Sequence, residues 1–319
     1  MNTIVSIQEF APDQVAALQA ALPGFAFVDA SSLDSEAARE QLKSAEIIIG
    51  WNRDVKKTLF EEDIALKWLQ TLSAGVDAIP LERLHAHGAA LTNASGVHAF
   101  QISESIFAML LSLTRGVHRA IRNQPAGSWQ PSPRLGEAHE KTMAIVGVGA
   151  IGLETAKIAK AFRMKVLGVR RSGSPAEYVD EMAGLDQLND VLAQSDYVVN
   201  CLPLTNETKH LFGKAQFDAM KPTAYYINIG RGATTDTAAL LDALQKGDIA
   251  GAGLDVFEQE PLPEGHPLWT LDNVIATPHE AGNTDCYMER AMEIVLDNLA
   301  HYRVHGIPCR NLVDLAAQY

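Results

Sequence analysis

The chain has 319 residues, 26 Lys and Arg against 39 Asp and Glu, and a formal net charge of −13. With 47% hydrophobic and 20% charged residues it carries enough apolar surface to offset the entropy of ordering, which excludes a disordered chain, and its length indicates about two domains at roughly 150 residues each. The acidic balance, with no basic block, argues against nucleic acid as a partner, because Lys and Arg must neutralise its phosphates. An anionic small ligand would have to meet locally concentrated positive charge or backbone N–H groups.

Cys201, Cys286 and Cys309 are odd in number and never form CxxC, so neither a disulfide framework nor a zinc site is expected. Reduced cysteines in a cytoplasmic protein are the plain reading. The start, MNTIVSIQEF, lacks a basic region followed by a long apolar run, so it does not read as a signal peptide. No segment reaches about 18 consecutive apolar residues, so no membrane partner is expected. No metal cluster is expected either.

In chain order, apolar runs alternate with amphipathic stretches: Thr3 to Ile7, a helix over Pro12 to Leu22, Phe25 to Asp29, a helix over Asp34 to Lys43, then Ile47 to Gly50. Candidate strands follow at Leu69 to Leu72 and Ala89 to Asn93. Such alternation implies a parallel sheet with helices on both faces. From Gln101 to about Asn123, helical spacing of Ile102, Ile106, Met109, Leu110 and Leu113 predicts one long helix. The segment QPAGSWQPSPRLGEAHE then reads either as a surface loop or as a dimer-clasping arm carrying Trp129. A second series has strands near Ala144, Val166, Tyr197, Tyr225, Gly253 and Val274, and a last helix over about Asn283 to His305 stops at Gly306 and Pro308.

Met143 to Val146 followed by GVGAIG is a buried strand entering a glycine turn and then a helix, Leu153 to Phe162. Gly147, Gly149 and Gly152 serve a tight turn, close approach of backbone to a pyrophosphate, and helix-to-strand packing. With Ala150 and Ile151 they are candidate dinucleotide contacts. A carboxylate for the ribose hydroxyls is expected at the end of the next strand, but Arg170, Arg171 and Ser172 stand there, Arg170 being 18 residues past Gly152. Guanidinium binds a 2′-phosphate in bidentate fashion, so NADP(H) is expected over NAD(H).

Four further segments lie at or beyond predicted strand ends, where doubly wound sheets bind ligands: NCLPLTNET, INIGRG, LDVFEQEP and TPHEAG. With the glycine fingerprint before them, and with SAGVD (Ser73 to Asp77), LTNASGVHAFQISES and NLVD (Asn311 to Asp314) elsewhere, the chain resembles the D-isomer-specific 2-hydroxyacid dehydrogenase family over nearly its whole length. The resemblance implies a catalytic triad of Arg231, Glu260 and His279. It also implies that Ala74 and Gly75 bind the substrate carboxylate and that Asp255 contacts the nicotinamide carboxamide. By the same resemblance Leu202, Pro203, Thr208, Ile229 and Gly230 line the adenosine and ribose path, and Ile102 the nicotinamide face. Trp51, followed by Asn52 and Arg53, is the candidate for the substrate side chain.

Reduction of a 2-keto acid delivers hydride to the carbonyl carbon, so negative charge develops on the carbonyl oxygen and a proton must reach it. His279 is the natural acid. Glu260, bonded to the other ring nitrogen, would fix its tautomer, and Arg231 would hold the substrate carboxylate and polarise the carbonyl. Three positions depart from the familiar pattern. Glu280 follows the histidine and either acts on it or faces solvent, Ser105 stands where many relatives carry His, and Leu135-Gly136-Glu137 replaces a common Leu-x-Gly-Lys lead-in. His98 and His266 read as structural or exposed rather than as ligands.

The expected architecture is α/β, with two doubly wound parallel-sheet domains. A Rossmann cofactor domain, residues 99–283, is inserted in a flavodoxin-like substrate domain, residues 1–98 plus 284–319, with the active site in the cleft. The expected activity is NADPH-dependent reduction of a small 2-keto acid, such as glyoxylate or hydroxypyruvate, to the D-2-hydroxy acid by a cytoplasmic homodimer. Two alternatives stay open: an NAD-dependent member such as a phosphoglycerate dehydrogenase, and a dinucleotide-sensing protein resembling the C-terminal-binding corepressors.

Overall fold

Ile47, Ile48 and Ile49 are each fully buried, as a parallel sheet covered by helices on both faces requires of its central strand. The computed structural model describes residues 2–61, 63–76, 78–132 and 135–315. Asp77 of SAGVD, and Pro133 and Arg134 of the Pro-rich segment, lie outside the described residues. The chain divides into two units, Met1–Val97 with Asp285–Tyr319, and His98–Thr284.

In the first unit the strands are β1 (Thr3–Ser6), β2 (Ala26–Asp29), β3 (Ile47–Ile49), β4 (Trp68–Gln70) and β5 (Ala90–Thr92). All pair in parallel, in the order β2-β1-β3-β4-β5. That is the flavodoxin-like order. Between them run α1 (Pro12–Ala21), α2 (Ser35–Ser44), α3 (Arg53–Thr58) and α4 (Leu81–His87).

Fully buried Asn298 lies on the last helix of the chain, Tyr287–His305, and ties that returning segment to the sheet. Its Nδ2 donates to Gln70 Oε1 at 3.1 Å and Arg310 O at 3.0 Å, and its Oδ1 accepts from the N–H groups of Cys309 and Arg310. This helix begins at Tyr287 rather than Asn283, because the Asn283 N–H closes a turn onto Glu280 O.

The second unit opens with α5 (Ala99–Arg115) and α6 (Val117–Asn123). The single helix expected over Gln101 to Asn123 is therefore two. Gly116 takes φ 67, in the left-handed region that an α-helix cannot continue through. Apolar periodicity runs on past the break at Val117 and Ile121, but both side chains are exposed. After them come β6 (Thr142–Val146), α7 (Ala150–Ala161), β7 (Lys165–Val169), β8 (Glu181–Ala183), α8 (Leu188–Gln194) and β9 (Tyr197–Asn200). The series closes with α9 (Lys214–Ala219), β10 (Tyr225–Asn228), α10 (Thr237–Lys246), β11 (Gly251–Leu254) and β12 (Val274–Ala276).

The seven strands form one parallel sheet ordered β8-β7-β6-β9-β10-β11-β12. Counted within the unit this is 3-2-1-4-5-6 with a seventh strand added, the Rossmann order. Strand β8, short and partly exposed at the edge, is absent from the sequence reading. The order reverses between β6 and β9, whose ends pair Val146 with Asn200, so the glycine turn and the NCLPLTNET segment leave the sheet side by side. Among the described residues no helix is long and apolar enough to cross a membrane.

Candidate active site

Each fingerprint glycine answers a separate constraint. Gly147 has φ 99, and a Cβ there would lie 2.9 Å from the Cys201 carbonyl; a Cβ at Gly152 would lie 2.7 Å from Gly147 O. A Cβ on exposed Gly149 would meet nothing within 4 Å among the described residues beyond its chain neighbours. Gly149 is also the N-cap of α7, and the first-turn N–H groups of Ala150, Ile151 and Gly152 have no acceptor among the described residues. Unpaired donors at a helix start carry partial positive charge, and with the open space above Gly149 they fit a dinucleotide diphosphate.

At the end of β7, Arg170 turns back on its own loop. Its Nε and Nη2 donate to Ser174 O, and Nη2 also reaches Ser174 Oγ at 2.7 Å and Pro175 O at 2.8 Å. Ser172 Oγ and Ser174 Oγ are 2.8 Å apart. Arg170 thus shapes the turn, while Arg171 and Ser172 are exposed on it.

Along the rest of the path, Leu202, Ile229 and Ile102 are buried in the two hydrophobic clusters of the unit, whereas Pro203 is exposed. Thr208 points its hydroxyl into its own turn, 2.6 Å from Pro203 O. Gly230 passes so close to the Leu202 turn that a Cβ would lie 2.5 Å from Leu202 O. Two buried residues missed in the sequence shape these turns. Asn200 Oδ1 accepts from the Leu202 N–H and Asn228 Oδ1 from the Gly230 N–H. Their signal was present, since each is the polar residue closing an otherwise apolar strand, and the two pair across β9 and β10.

Of the triad, His279 and Glu260 meet directly: His279 Nδ1 lies 2.7 Å from Glu260 Oε2. A carboxylate only accepts, so Nδ1 carries the hydrogen, and Nε2 of the half-exposed ring has no partner among the described residues. Glu260 is held in turn by the Phe257 N–H, 2.9 Å from Oε1. His279 has φ 52, a left-handed conformation uncommon for a side chain of this kind.

Buried Asp255, one residue past β11, fixes the loop around His279. Its Oδ1 accepts from Thr277 Oγ1 at 2.6 Å and the Glu280 N–H at 3.0 Å, and its Oδ2 from the Ala281 N–H at 3.1 Å. Oδ2 keeps room for one more donor. The Glu280 side chain is exposed and makes no hydrogen bond or ion pair among the described residues.

Arg231 donates from Nη1 to Gly230 O at 2.8 Å. The next residue, Gly232, sits against the Phe257 carbonyl so tightly that a Cβ would overlap it. The turn bearing Arg231 and the segment leading to Glu260 are thereby interlocked. A second His–carboxylate pair reinforces them: His210 Nε2 lies 2.6 Å from Glu258 Oε1, Glu258 Oε2 accepts from the Thr237 N–H, and the His210 N–H bonds to Ala233 O.

The remaining candidates belong to the first unit. The N–H groups of Ala74 and Gly75 have no acceptor among the described residues, while their carbonyls take Asn93 Nδ2 and Ser73 Oγ. Both are partly exposed, which leaves two adjacent backbone donors for an anion. Trp51 packs against the hydrophobic cluster of its own sheet, and Asn52 caps α3.

Comparison with known proteins now decides the family. The model of the D-isomer specific 2-hydroxyacid dehydrogenase NAD binding domain matches residues 107–281. The chain belongs to the D-isomer-specific 2-hydroxyacid dehydrogenase family. A glyoxylate/hydroxypyruvate reductase B of Enterobacter sp. (strain 638) is 37% identical over 286 residues, 86% of this chain and 87% of that protein. Among solved structures, a phosphoglycerate dehydrogenase from Lactobacillus plantarum is 37% identical with a TM-score of 0.58, covering 98% of this chain and 100% of the other. An NADPH-dependent glyoxylate/hydroxypyruvate reductase from Sinorhizobium meliloti, solved with NADP and sulfate, is 27% identical with a TM-score of 0.81 over 100% of both chains.

In this dehydrogenase burial pushes the Glu258 carboxyl up, but the bonds from Thr237 and His210 outweigh it and hold it below its ordinary value of 4.5. A depressed carboxylate adds stability above its unfolded value and loses it as the pH falls through the folded one. The melting temperature of the parent should therefore exceed that of Glu258→Gln at neutral pH, and the gap should narrow toward an acid limit below the ordinary carboxylate range. A gap constant from neutral to that acid limit would contradict the assignment.

Proposed function

We propose that the enzyme reduces a small 2-keto acid, of the size of glyoxylate or hydroxypyruvate, to the D-2-hydroxy acid with NADPH. The observation carrying this reading is the His279–Glu260 contact with His279 Nε2 left for substrate, on loops interlocked with the turn of Arg231. A bound nicotinamide dinucleotide supplies the hydride. As the imidazolium, with hydrogen on both ring nitrogens, His279 gives its Nε2 proton to the carbonyl oxygen as charge develops there and is left neutral with its hydrogen on Nδ1, and it takes the proton back in the reverse direction. Glu260 holds Nδ1–H and so keeps the working proton on Nε2. Arg231 holds the substrate carboxylate and polarises the carbonyl, with the Ala74 and Gly75 N–H groups as the second carboxylate cradle.

The glycine turn and first turn of α7 hold the diphosphate, and Asp255 Oδ2 accepts from the carboxamide. NADP(H) over NAD(H) is supported by the Arg170 to Ser172 turn, which carries no carboxylate. Within it, Arg171 and Ser172 take the 2′-phosphate while Arg170 shapes the loop that presents them. A relative solved with NADP supports the same choice.

Glyoxylate, hydroxypyruvate, pyruvate and phenylpyruvate, each assayed with NADPH and NADH, test this reading directly. The two smallest polar acids with NADPH should give the highest kcat/KM. Arg171→Ala should raise KM for NADPH about tenfold, as expected for a lost charge-assisted contact, and leave NADH unaffected. Equal efficiency with the two cofactors in the parent would sink the NADP assignment.

For the mechanism, His279→Asn should lower kcat by about a hundredfold or more with NADPH binding retained. Near-parent turnover would remove His279 as the acid–base group.

We also propose a homodimer clasped by the arm. Trp129 is 95% exposed, and Val117 and Ile121 beside the arm present further apolar surface. Sedimentation equilibrium should give a dimer for the parent and a weakened one for Trp129→Ala, and a monomeric parent would refute the proposal.

A further inference from the structure

Two polar residues at the start of α5, His98 and Gln101, converge on one atom of the His279 loop. His98 Nδ1 lies 3.1 Å and Gln101 Nε2 3.0 Å from Gly282 O, and the two nitrogens are 3.2 Å from each other. Gln101 is buried. His98 is packed so closely on Gly282 that a Cβ there would meet Nδ1 at 3.3 Å. A carbonyl oxygen only accepts, so both side chains act as donors to it. Burial and the nearby Arg231 charge hold the His98 pKa below its ordinary value, opposed by the Gly282 bond, so the neutral ring with its hydrogen on Nδ1 is the form that makes the contact.

The loop needs such an anchor. His279 sits at φ 52, a left-handed conformation that an ordinary side chain keeps only where the surroundings over-determine it. Upstream and through Ala281, the Asp255 carboxylate supplies that constraint. It does not reach Gly282, where the chain turns away and Asn283 N–H bonds to Glu280 O. We propose that Gln101 and His98 are positioning residues for the acid–base histidine: by holding Gly282 O they fix the downstream end of the loop and keep the His279 ring on Glu260. The inference rests on the reading of His279 given above.

Gln101→Leu and His98→Leu remove one donor each with little change in volume, whereas His98→Asn replaces Nδ1–H by an amide N–H at the same reach. With glyoxylate and NADPH, kcat should fall about tenfold or more in both leucine variants, with KM changed by less than about threefold, because a misplaced catalytic group is felt in turnover. His98→Asn should recover most of the loss. Hydrogen exchange of the Glu280 and Ala281 amides, measured without ligands, should quicken about tenfold in Gln101→Leu while the melting temperature stays near the parent's.

Parent-like kcat and exchange in both leucine variants would overturn the proposal, as would an asparagine variant no better than the leucine one. A rise in KM alone would overturn it too, since that marks a binding role. Should His279→Asn prove fully active, the acid–base reading itself fails. An inactive His279→Asn beside an unaffected Gln101→Leu defeats only the positioning role.

Discussion

The loop that carries His279 in the second unit is organised around the buried carboxylate of Asp255. A charge removed from water is tolerated only where donors replace its hydration, and the cost of leaving it unpaired is several kcal/mol. Three donors come from one short stretch, Thr277, Glu280 and Ala281, so satisfying the carboxylate dictates the path of the chain that carries His279. Proton placement follows: with the backbone set, the ring faces Glu260, and a carboxylate on Nδ1 leaves Nε2 as the site that can exchange a proton. Packing, electrostatics and tautomer are thus successive consequences of one burial.

Much of this was legible in the residues, for physical reasons that differ from element to element. Strands such as Ile47–Ile49 and Tyr197–Asn200 announce themselves because covered parallel strands are apolar on both faces. The glycine turn is readable because each of its glycines answers a steric demand. Strand β8 was missed because an edge strand of three partly exposed residues carries no such pattern. The break at Gly116 was missed because apolar periodicity continues across it, with Val117 and Ile121 turned to solvent. At the site, the His279–Glu260 pairing matches the expected one. The inward fold of Arg170 onto Ser174 and Pro175 could not be read, since nothing in the order of residues says which acceptors a long flexible side chain will find. Asn200 and Asn228 were overlooked for a related reason: a polar residue at a strand end looks like the beginning of a loop until the neighbouring strand shows its twin.

The acidity of the chain fits its chemistry once the source of positive potential is considered. At the α7 start, and separately at Ala74 and Gly75, the groups available to an anion are backbone N–H donors with no acceptor among the described residues. Dipoles fixed by the backbone act at short range and leave the long-range field negative. Binding of small anions and avoidance of polyanions are therefore compatible in one molecule.

The contact of Gly232 with the Phe257 carbonyl has a consequence for how such an enzyme can change over generations. Because no side chain fits at 232 without moving the backbone at 257, the turn bearing Arg231 and the segment ending at Glu260 form a single unit of inheritance. A chimaera that takes one from a relative and keeps the other inherits a collision unless the two parents share the same backbone there. New substrate preferences are therefore more readily acquired through residues outside this locked pair, leaving its chemistry intact while the surroundings diverge.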